Sequence, residues 1–244
     1  KYGSVSFIPR KEEEKIDHDG EEFIFIVDCS GSMSGRPIKV AAQCLLIFIK
    51  SLPENCYFNV VRFGSEYVPL FEKPVPYNKE NTETALTLAK SLKADLGGTN
   101  LSKPFDYIFK KPLSVNDKLR RIFVLTDGCV FDKEKVIEFV KRNSNTTMSN
   151  AIGIGSEVDK ELVQKIGEKG KGFIDFVIDT EEDMKSKVIN QLSRSLSGLC
   201  KVELSIEDNE SFEIVPSLSN VRLSPGIPCK FYFKTANEMK DNLH

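Results

Sequence analysis

Two short apolar segments, each ending in an aspartate, constrain the fold of this chain more than any other feature. Residues 23–27 read Phe-Ile-Phe-Ile-Val and stop at Asp28, and residues 122–126 read Ile-Phe-Val-Leu-Thr and stop at Asp127. Apolar runs of this length, rich in β-branched and aromatic residues, predict strands buried on both faces of a parallel sheet. Ligands of such sheets bind beyond the carboxyl ends of the strands. If the two strands are neighbours, the two aspartates mark one binding crevice.

Oxygen-bearing side chains follow the first strand at alternate positions. Asp28, Ser30 and Ser32 are such residues, and Thr99 lies in a separate Gly-Gly loop at residues 97–99. Carboxylate and hydroxyl oxygens, with no thiolate or imidazole, suit a small hard cation such as Mg²⁺. Ser-Gly-Ser after a strand is also typical of a turn whose hydroxyls cap the next helix. On these residues alone, a metal site and a capped turn both remain open.

The order of these segments resembles a known family. Asp28-x-Ser30-x-Ser32, then Thr99, then Thr126-Asp127-Gly128 resembles the metal-ion-dependent adhesion site (MIDAS) of a von Willebrand factor A domain, and the resemblance covers roughly residues 21–198. Within that family the chain is similar to the group that carries a vault/inter-α-trypsin (VIT) domain upstream. That group includes the vault poly(ADP-ribose) polymerase and the inter-α-trypsin inhibitor heavy chains. The segments that carry this finer resemblance are Lys50-Ser-Leu-Pro53, Cys56-Tyr-Phe-Asn59, Phe63-Gly-Ser65 and Ala94-Asp-Leu-Gly-Gly-Thr99.

The resemblance implies a site for Mg²⁺ or Mn²⁺ and a role for each residue. Ser30 and Ser32 would bind the metal directly, and Thr99 would bind it directly or through water. Asp28 and Asp127 would mainly orient waters and hydroxyls. Because the direct ligands are neutral, the ion keeps affinity for one more anionic oxygen. We therefore expect a protein-protein interaction module that binds a Glu or Asp carboxylate of a partner protein.

The rest of the pattern predicts an α/β fold. We expect a Rossmann-like, doubly wound, mostly parallel sheet of six strands flanked by helices, with an antiparallel edge strand near residues 67–71. Alternating apolar residues at 3–8, 202–206, 212–214 and 231–233 predict a small antiparallel β region built from both ends of the chain. The expected domains are therefore an N-terminal strand and charged loop at 1–20, the main domain at 21–198, and a β-rich segment at 199–244. We expect the last segment to be part of an adjoining β-sandwich.

The last helix of the main domain carries a narrow apolar stripe. Met184, Val188, Leu192 and Leu196 recur every four residues after a capping-box pattern at residues 180–183. We expect this helix to pack against the sheet by a single face and to be the helix most able to slide. In adhesion members of the family a related helix moves when a ligand carboxylate completes the metal shell.

Composition excludes some partners. The net charge of −2 gives no electrostatic footprint for nucleic acid or for an anionic membrane surface. No apolar run approaches the roughly 18 residues of a membrane span, and no signal peptide opens the chain. Because the chain begins at Lys1, we expect a piece of a longer protein, whose other domains are natural partners.

Six scattered cysteines bear on localisation. Cys29, Cys44 and Cys56 fall at predicted rim, helix and strand positions of a well-filled core. Free buried thiols and an intracellular, cytoplasmic protein are therefore expected, with a secreted, disulfide-bonded protein as the alternative. Cys29 and Cys129 also leave open a redox role at the rim.

Enzymatic alternatives find little support in the sequence. A Mg²⁺-dependent phosphotransferase that uses Asp28 as nucleophile usually has a second Asp two residues on as general acid, where this chain has Ser30. Ser30 lacks the Gly-x-Ser-x-Gly elbow of a serine nucleophile, and the only histidines, His18 and His244, are predicted in a loop and at the terminus. We therefore expect no enzymatic activity in this chain. A structural scaffold with a weak metal site is the third reading.

Overall fold

The computed structural model of the chain describes residues 2–8, 18–177, 181–196, 212–215 and 229–235. The chain divides into two compact units, one at residues 17–196 and one that combines residues 1–16 with 197–244. The larger unit is a parallel-rich sheet flanked by helices, and the smaller one contains an antiparallel sheet from the two chain ends. The predicted fold class is confirmed.

Within the described residues, ten strands form two sheets. The strands are β1 (Tyr2–Phe7), β2 (Glu22–Asp28), β3 (Tyr57–Phe63), β4 (Tyr67–Pro69), β5 (Val75–Pro76), β6 (Arg120–Thr126), β7 (Thr147–Ile154), β8 (Lys171–Val177), β9 (Phe212–Val215) and β10 (Cys229–Thr235). The larger sheet has the order β4-β3-β2-β6-β7-β8, with β5 paired to β3 outside that path. Strands β2, β3, β6, β7 and β8 run parallel, whereas β4 and β5 run antiparallel to β3.

Six helices in the described part of the chain cover the larger sheet. They are α1 (Arg36–Lys50), α2 (Lys79–Lys90), α3 (Ser102–Phe109), α4 (Lys133–Arg142), α5 (Lys160–Lys169) and α6 (Glu181–Leu196). Helices α1, α2 and α6 pack against one face of the sheet, and α3, α4 and α5 pack against the other. In the described part of the chain, no helix has both the length and the apolar character needed to cross a membrane.

Strand β2 lies at the centre of the sheet because its sequence can be buried on both sides. Phe23, Phe25 and Val27 face the core beneath α1, whereas Ile24 and Ile26 face the opposite core. Phe25 stacks on Phe123 of the neighbouring strand β6, with ring centroids 5.7 Å apart. The parallel register pairs Val27 with Leu125, so that both strands end at the same edge of the sheet.

The antiparallel edge differs in detail from the prediction. Six strands were expected, and the two-residue strand β5 makes a seventh. Buried Asn59 anchors the chain just before β5: its side-chain oxygen accepts from Phe71 N at 3.1 Å, and its amide nitrogen donates to Phe71 O at 2.8 Å. These bonds fold the chain after β4 back along β3. Helix α2 is capped by Asn78, whose side chain accepts from Asn81 N at 3.0 Å.

The small sheet has the order β1-β10-β9, with both pairs antiparallel. The rings of Phe7 and Phe231 stack 5.9 Å apart on one of its faces. The strand predicted at 202–206 and the capping position Thr180 lie outside the described residues.

Helix α6 buries polar groups as well as its predicted stripe. Met184, Val188 and Leu192 are buried, as expected, but Gln191 and Ser195 are fully buried too. Gln191 Nε2 donates to Ala151 O at 3.0 Å, and Ser195 O accepts from Arg121 Nε at 2.9 Å. The face of α6 against the sheet is therefore wider than one apolar stripe and is fixed by directional bonds.

Buried ion pairs hold the amino ends of β2 and β6 together. Arg120 Nε donates to Glu22 Oε2 at 2.7 Å, and both side chains are almost fully buried. The same guanidinium donates to the carbonyls of Ile108, Lys111 and Pro112, which fastens the end of α3 to the sheet.

A second pair joins Arg121 to Glu21. Glu21 also bonds His18 Nδ1 at 2.8 Å. Burial raises the pKa of Glu21, but the hydrogen bonds to His18 and Arg121 outweigh it and leave that pKa below its ordinary value. His18, predicted in a loop, is thus part of this cluster.

Substitution of Arg120 by Met should destabilise the chain strongly. Removing one partner of a buried ion pair leaves the other charge uncompensated, which costs about 3–5 kcal/mol. Urea unfolding followed by circular dichroism measures the change. Lys165→Met, which breaks the exposed pair between Lys165 and Glu161, is the control and should cost less than about 1 kcal/mol. Equal, small losses in both variants would contradict a structural role for the buried pair.

Candidate metal centre

Asp28 ends strand β2 and is fixed by two hydrogen bonds. Its side chain is fully buried. Oδ1 accepts from the Ser30 amide at 2.9 Å, and Oδ2 accepts from the Thr126 hydroxyl at 2.6 Å. The Thr126 hydroxyl in turn accepts from Gly128 N at 2.9 Å. Asp28 is therefore bonded to its own loop and to the end of β6.

Ser30 and Ser32 lie on a tight turn after β2. Residues Gly31–Met33 form one turn of 3₁₀ helix, which leaves Ser30 buried and Ser32 exposed. The two hydroxyl oxygens are 3.0 Å apart. Two neighbouring ligands of octahedral Mg²⁺, each about 2.0–2.1 Å from the ion, would be separated by roughly this distance. Neither hydroxyl caps α1, because the residue at the amino terminus of that helix is Gly35.

The loop that carries Thr99 is bonded to the loop that carries the serines. Gly31 N donates to Gly97 O at 2.8 Å, and Leu96 N donates to Cys29 O at 3.0 Å. Thr99 itself is buried, with only 6% of its surface exposed. These bonds bring the Thr99 loop beside Ser30 and Ser32.

Gly64 and Ser65, at the end of β3, support the same loop from the other side. Asn100 N donates to Gly64 O at 2.8 Å, and Gly98 N donates to the Ser65 hydroxyl at 2.8 Å. A Cβ atom at position 64 would lie 2.3 Å from Leu96 O. Only glycine therefore allows this close approach of the two backbones.

Asp127 follows β6 on a third loop. Its side chain is 8% exposed and accepts from Cys129 N at 3.0 Å, while its carbonyl accepts from Asp159 N at 2.8 Å. Asp159 caps α5 by accepting from Leu162 N at 3.0 Å. Gly128 has φ +78°, and a side chain there would also collide with Asp159. The Asp127 loop is thus anchored to the start of α5.

The electrostatics of this edge favour a cation. Burial raises the pKa of Asp28 above its ordinary value despite the bonds from Ser30 and Thr126, and the charge of Asp127 raises it further. Two carboxylates on adjacent strand ends repel each other when both are ionised. A bound divalent ion would compensate both, so the donor set fits Mg²⁺ or Mn²⁺. Among the described residues, no group of three or more His, Cys, Asp or Glu side chains could hold a metal ion.

The cysteines near the site lack the character of redox residues. The thiols at positions 29, 44, 56 and 129 are free. Burial raises the pKa of Cys29, Cys44 and Cys56 to about 12. Burial and the charges of Asp127 and Asp159 raise the pKa of Cys129 as well. Because the thiolate is the reactive form, this environment does not favour redox chemistry at the rim.

Sequence reasoning missed three residues of this edge. The sequence analysis gave no role to the Thr126 hydroxyl, which joins the two strands, or to Ser65, which bonds the Thr99 loop. It also gave none to Phe131, whose ring is exposed beside that loop. A β-branched hydroxyl residue immediately before the second aspartate was the one available signal for Thr126.

Residues 21–176 match the family model described as the von Willebrand factor type A domain. The chain belongs to the von Willebrand factor type A domain family. Such domains typically mediate protein-protein interactions. Human von Willebrand factor A domain-containing protein 5A is 35% identical over 231 residues, covering 91% of this chain and 28% of that protein. A von Willebrand factor A domain-containing protein of Dictyostelium discoideum is 37% identical over 206 residues, covering 84% of this chain and 20% of that protein.

Solved structures share the fold at low identity. The von Willebrand factor type A protein of Catenulispora acidiphila has a TM-score of 0.69 at 13% identity, covering 97% of this chain and 66% of that one. Proximal thread matrix protein 1 from the mussel byssus, with a zinc-occupied MIDAS motif, has a TM-score of 0.55 at 12% identity, covering 78% of this chain and 48% of that one.

Asp28→Asn should stabilise the metal-free protein at neutral pH. Because the pKa of Asp28 is raised on folding, the folded state binds the proton more tightly than the unfolded state, and stability falls as pH rises above about 3.8, the ordinary value. Asparagine avoids the cost of the buried charge, and its amide can donate to the Thr126 hydroxyl. Thermal unfolding with a chelator should give the variant the higher Tm at pH 7, with the difference shrinking toward pH 4. If the wild type is the more stable protein at pH 7, burial of the ionised Asp28 carboxylate does not destabilise the folded state and the prediction is wrong.

Proposed function

We propose that this domain is a metal-dependent protein-binding module whose MIDAS is formed by Asp28, Ser30, Ser32, Thr99 and Asp127. The resident ion would be Mg²⁺ or Mn²⁺, and the ligand would be a Glu or Asp side chain of a partner protein. The observation that carries this proposal is the 3.0 Å separation of the Ser30 and Ser32 hydroxyl oxygens beside the fully buried Asp28.

The donor chemistry supports an all-oxygen cation. Ser30 and Ser32 are neutral donors, and Thr99 sits on a loop bonded to theirs, so these hydroxyls would hold the ion directly or through one water. Asp28 is already occupied by the Ser30 amide and the Thr126 hydroxyl. It would therefore not contact the ion itself but would orient the hydroxyls and waters that do. Ser32 is exposed, which leaves the solvent side of the ion for an incoming group.

An acidic partner follows from the charge of the ligands. An ion held by neutral hydroxyls and waters retains most of its charge, and the nearby carboxylates compensate it only from a distance. A partner carboxylate would add an anionic oxygen without displacing a protein ligand.

Within the family, we propose that the chain belongs to the VIT-containing group of intracellular proteins. Four segments support this proposal, at residues 50–53, 56–59, 63–65 and 94–99.

The proposal assigns binding, not turnover, to this domain. His18 lies just before β2 and bonds Glu21, at the opposite end of the strand from Ser30. No described histidine is thus placed to activate a serine nucleophile. The full-length relatives are several times longer than this chain, so an enzymatic domain elsewhere in the parent protein is compatible with the proposal.

Titration calorimetry with Mg²⁺ and Mn²⁺ tests the metal site. The wild type should bind one ion, and Ser32→Ala should weaken binding at least tenfold because it removes a direct ligand. Ser34→Ala is the matched control, since this exposed serine lies two residues further on, and it should bind metal as the wild type does. Equal affinity in wild type and Ser32→Ala would overturn the proposed site.

The partner chemistry is tested by calorimetry with an N-acetylated, C-terminally amidated Gly-Ser peptide in which one Glu is the sole carboxylate. The wild type should bind it in Mg²⁺ and release it in a chelator. The same peptide with Gln should not bind, because a neutral amide does not supply the anionic oxygen. Binding of the two peptides with equal affinity would contradict carboxylate recognition.

A further inference from the structure

Asp132 caps a helix other than its own. It is the N-cap residue of α4, a position where an aspartate usually accepts from the first-turn amides of the helix that it begins. Its side chain makes no such bond to α4. Instead, Oδ2 accepts from the amide of Ser102, the first residue of α3, at 2.7 Å. Asp159, at the same position of α5, shows the usual behaviour by accepting from Leu162 N at 3.0 Å.

The amino end of α3 needs an acceptor from elsewhere. The residue before this helix is Leu101, whose side chain offers no hydrogen-bond acceptor. Amides of the first turn have no partner within their own helix. A carboxylate oxygen is a favourable partner for them because of its charge and the helix dipole. Asp132 supplies that oxygen to Ser102 from the loop after β6.

The bond joins two loops of the proposed metal centre. Thr99 lies in the loop at residues 91–101, which ends at α3, and Asp127 lies in the loop at residues 127–132, which ends at α4. The bond from Ser102 to Asp132 connects the two loops where each one enters its helix. A second bond lies beside it, because Phe131 N donates to Thr99 O at 3.4 Å.

This arrangement has a local cost. The other carboxylate oxygen of Asp132, Oδ1, is buried and has no hydrogen-bond partner within the described part of the chain. A buried acceptor without a donor destabilises the fold, and the missing cap of α4 adds to that loss. Departures from local rules of this kind are typical of functional sites.

We propose that Asp132 is a positioning residue of the metal centre. It holds the Thr99 loop against the Asp127 loop and so sets where Thr99 lies relative to Ser30 and Ser32. It acts through Thr99 and does not bind the ion itself. The inference rests on the proposed function, in which Thr99 binds the ion directly or through water. Because Mg²⁺ demands near-ideal octahedral geometry, displacement of one ligand weakens its binding.

Titration calorimetry with Mg²⁺ measures the effect. Asp132→Ala should weaken binding about tenfold, the usual loss when a residue that orients a metal ligand is removed. Asp132→Asn keeps an oxygen that can accept from Ser102 N, so it should bind with an affinity close to that of the wild type. Glu134→Ala removes an exposed carboxylate two residues further on and is the control, which should bind as the wild type does.

A double-mutant cycle tests whether Asp132 acts through Thr99. In a Thr99→Ala background the ligand is already lost, so adding Asp132→Ala should weaken Mg²⁺ binding little further. If Asp132→Ala causes the same loss in both backgrounds, its effect does not pass through Thr99 and the inference is wrong.

Hydrogen exchange followed by NMR in a chelator reports on the loop without metal. Asn100 N donates to Gly64 O at 2.8 Å. This amide should exchange faster in Asp132→Ala than in the wild type, because the loop opens more often when one of its bonds is removed. In Asp132→Asn it should exchange as in the wild type. Unchanged exchange in Asp132→Ala would overturn the positioning role.

Asp132→Ser separates this role from stability. Serine is also favoured at the N-cap position, but its hydroxyl oxygen lies one bond closer to the backbone than the carboxylate oxygens. It should therefore cap α4 and lose the bond to Ser102. Its Tm in a chelator should exceed that of Asp132→Ala, whereas its affinity for Mg²⁺ should be as low. This variant keeps the test valid if Asp132→Ala does not fold.

The outcomes distinguish this inference from the function on which it rests. If Ser32→Ala weakens Mg²⁺ binding but Asp132→Ala and Asp132→Ser bind as the wild type does, the positioning role is wrong and the proposed function stands. If Asp132→Asn loses as much affinity as Asp132→Ala, the charge and not the bond matters, which also overturns the inference. If the wild type binds no Mg²⁺, both are wrong.

Discussion

The hydrogen bond from the Thr126 hydroxyl to Asp28 Oδ2, 2.6 Å long, is the interaction on which the candidate site depends. It exists because β2 and β6 are adjacent and parallel, with a register that ends both strands at one edge. It turns the Asp28 carboxylate toward the end of β6, while the other oxygen accepts from Ser30 N. One buried carboxylate thus fixes both the serine turn and the neighbouring strand end. The proposed metal affinity would follow from that prior ordering.

The two ends of the central strands carry different kinds of polar group. At their amino ends, Glu22 and Arg120 form a buried pair whose charges compensate each other, and this arrangement serves stability. At their carboxyl ends, Asp28 and Asp127 carry charges of the same sign, and burial raises the pKa of Asp28. A domain that only needed to be stable would have no reason to keep this repulsion. The contrast supports a ligand site at the carboxyl edge, where parallel sheets usually bind ligands.

Much of this could be predicted from sequence because strong local patterns agreed with the tertiary structure. Continuous apolar runs identified β2 and β6, and the aspartates that follow them identified the edge. Strand β5, in contrast, follows a turn at Phe71 whose backbone bonds the Asn59 side chain, and no local pattern reports that long-range contact. The pairing of His18 with Glu21 and the burial of Gln191 on α6 were missed for the same reason. The exposure of Phe131 depends on where its loop lies, which periodicity does not encode.

The central claim is that Ser30, Ser32 and Thr99 jointly hold a divalent cation that accepts a carboxylate. A crystal structure of the domain grown with Mn²⁺ tests it most directly, because anomalous scattering locates the ion without ambiguity. The account predicts one strong anomalous peak in direct contact with the hydroxyls of Ser30 and Ser32, with Asp28 still bonded to Thr126. A manganese ion bound elsewhere, or no peak between these loops at millimolar Mn²⁺, would contradict it.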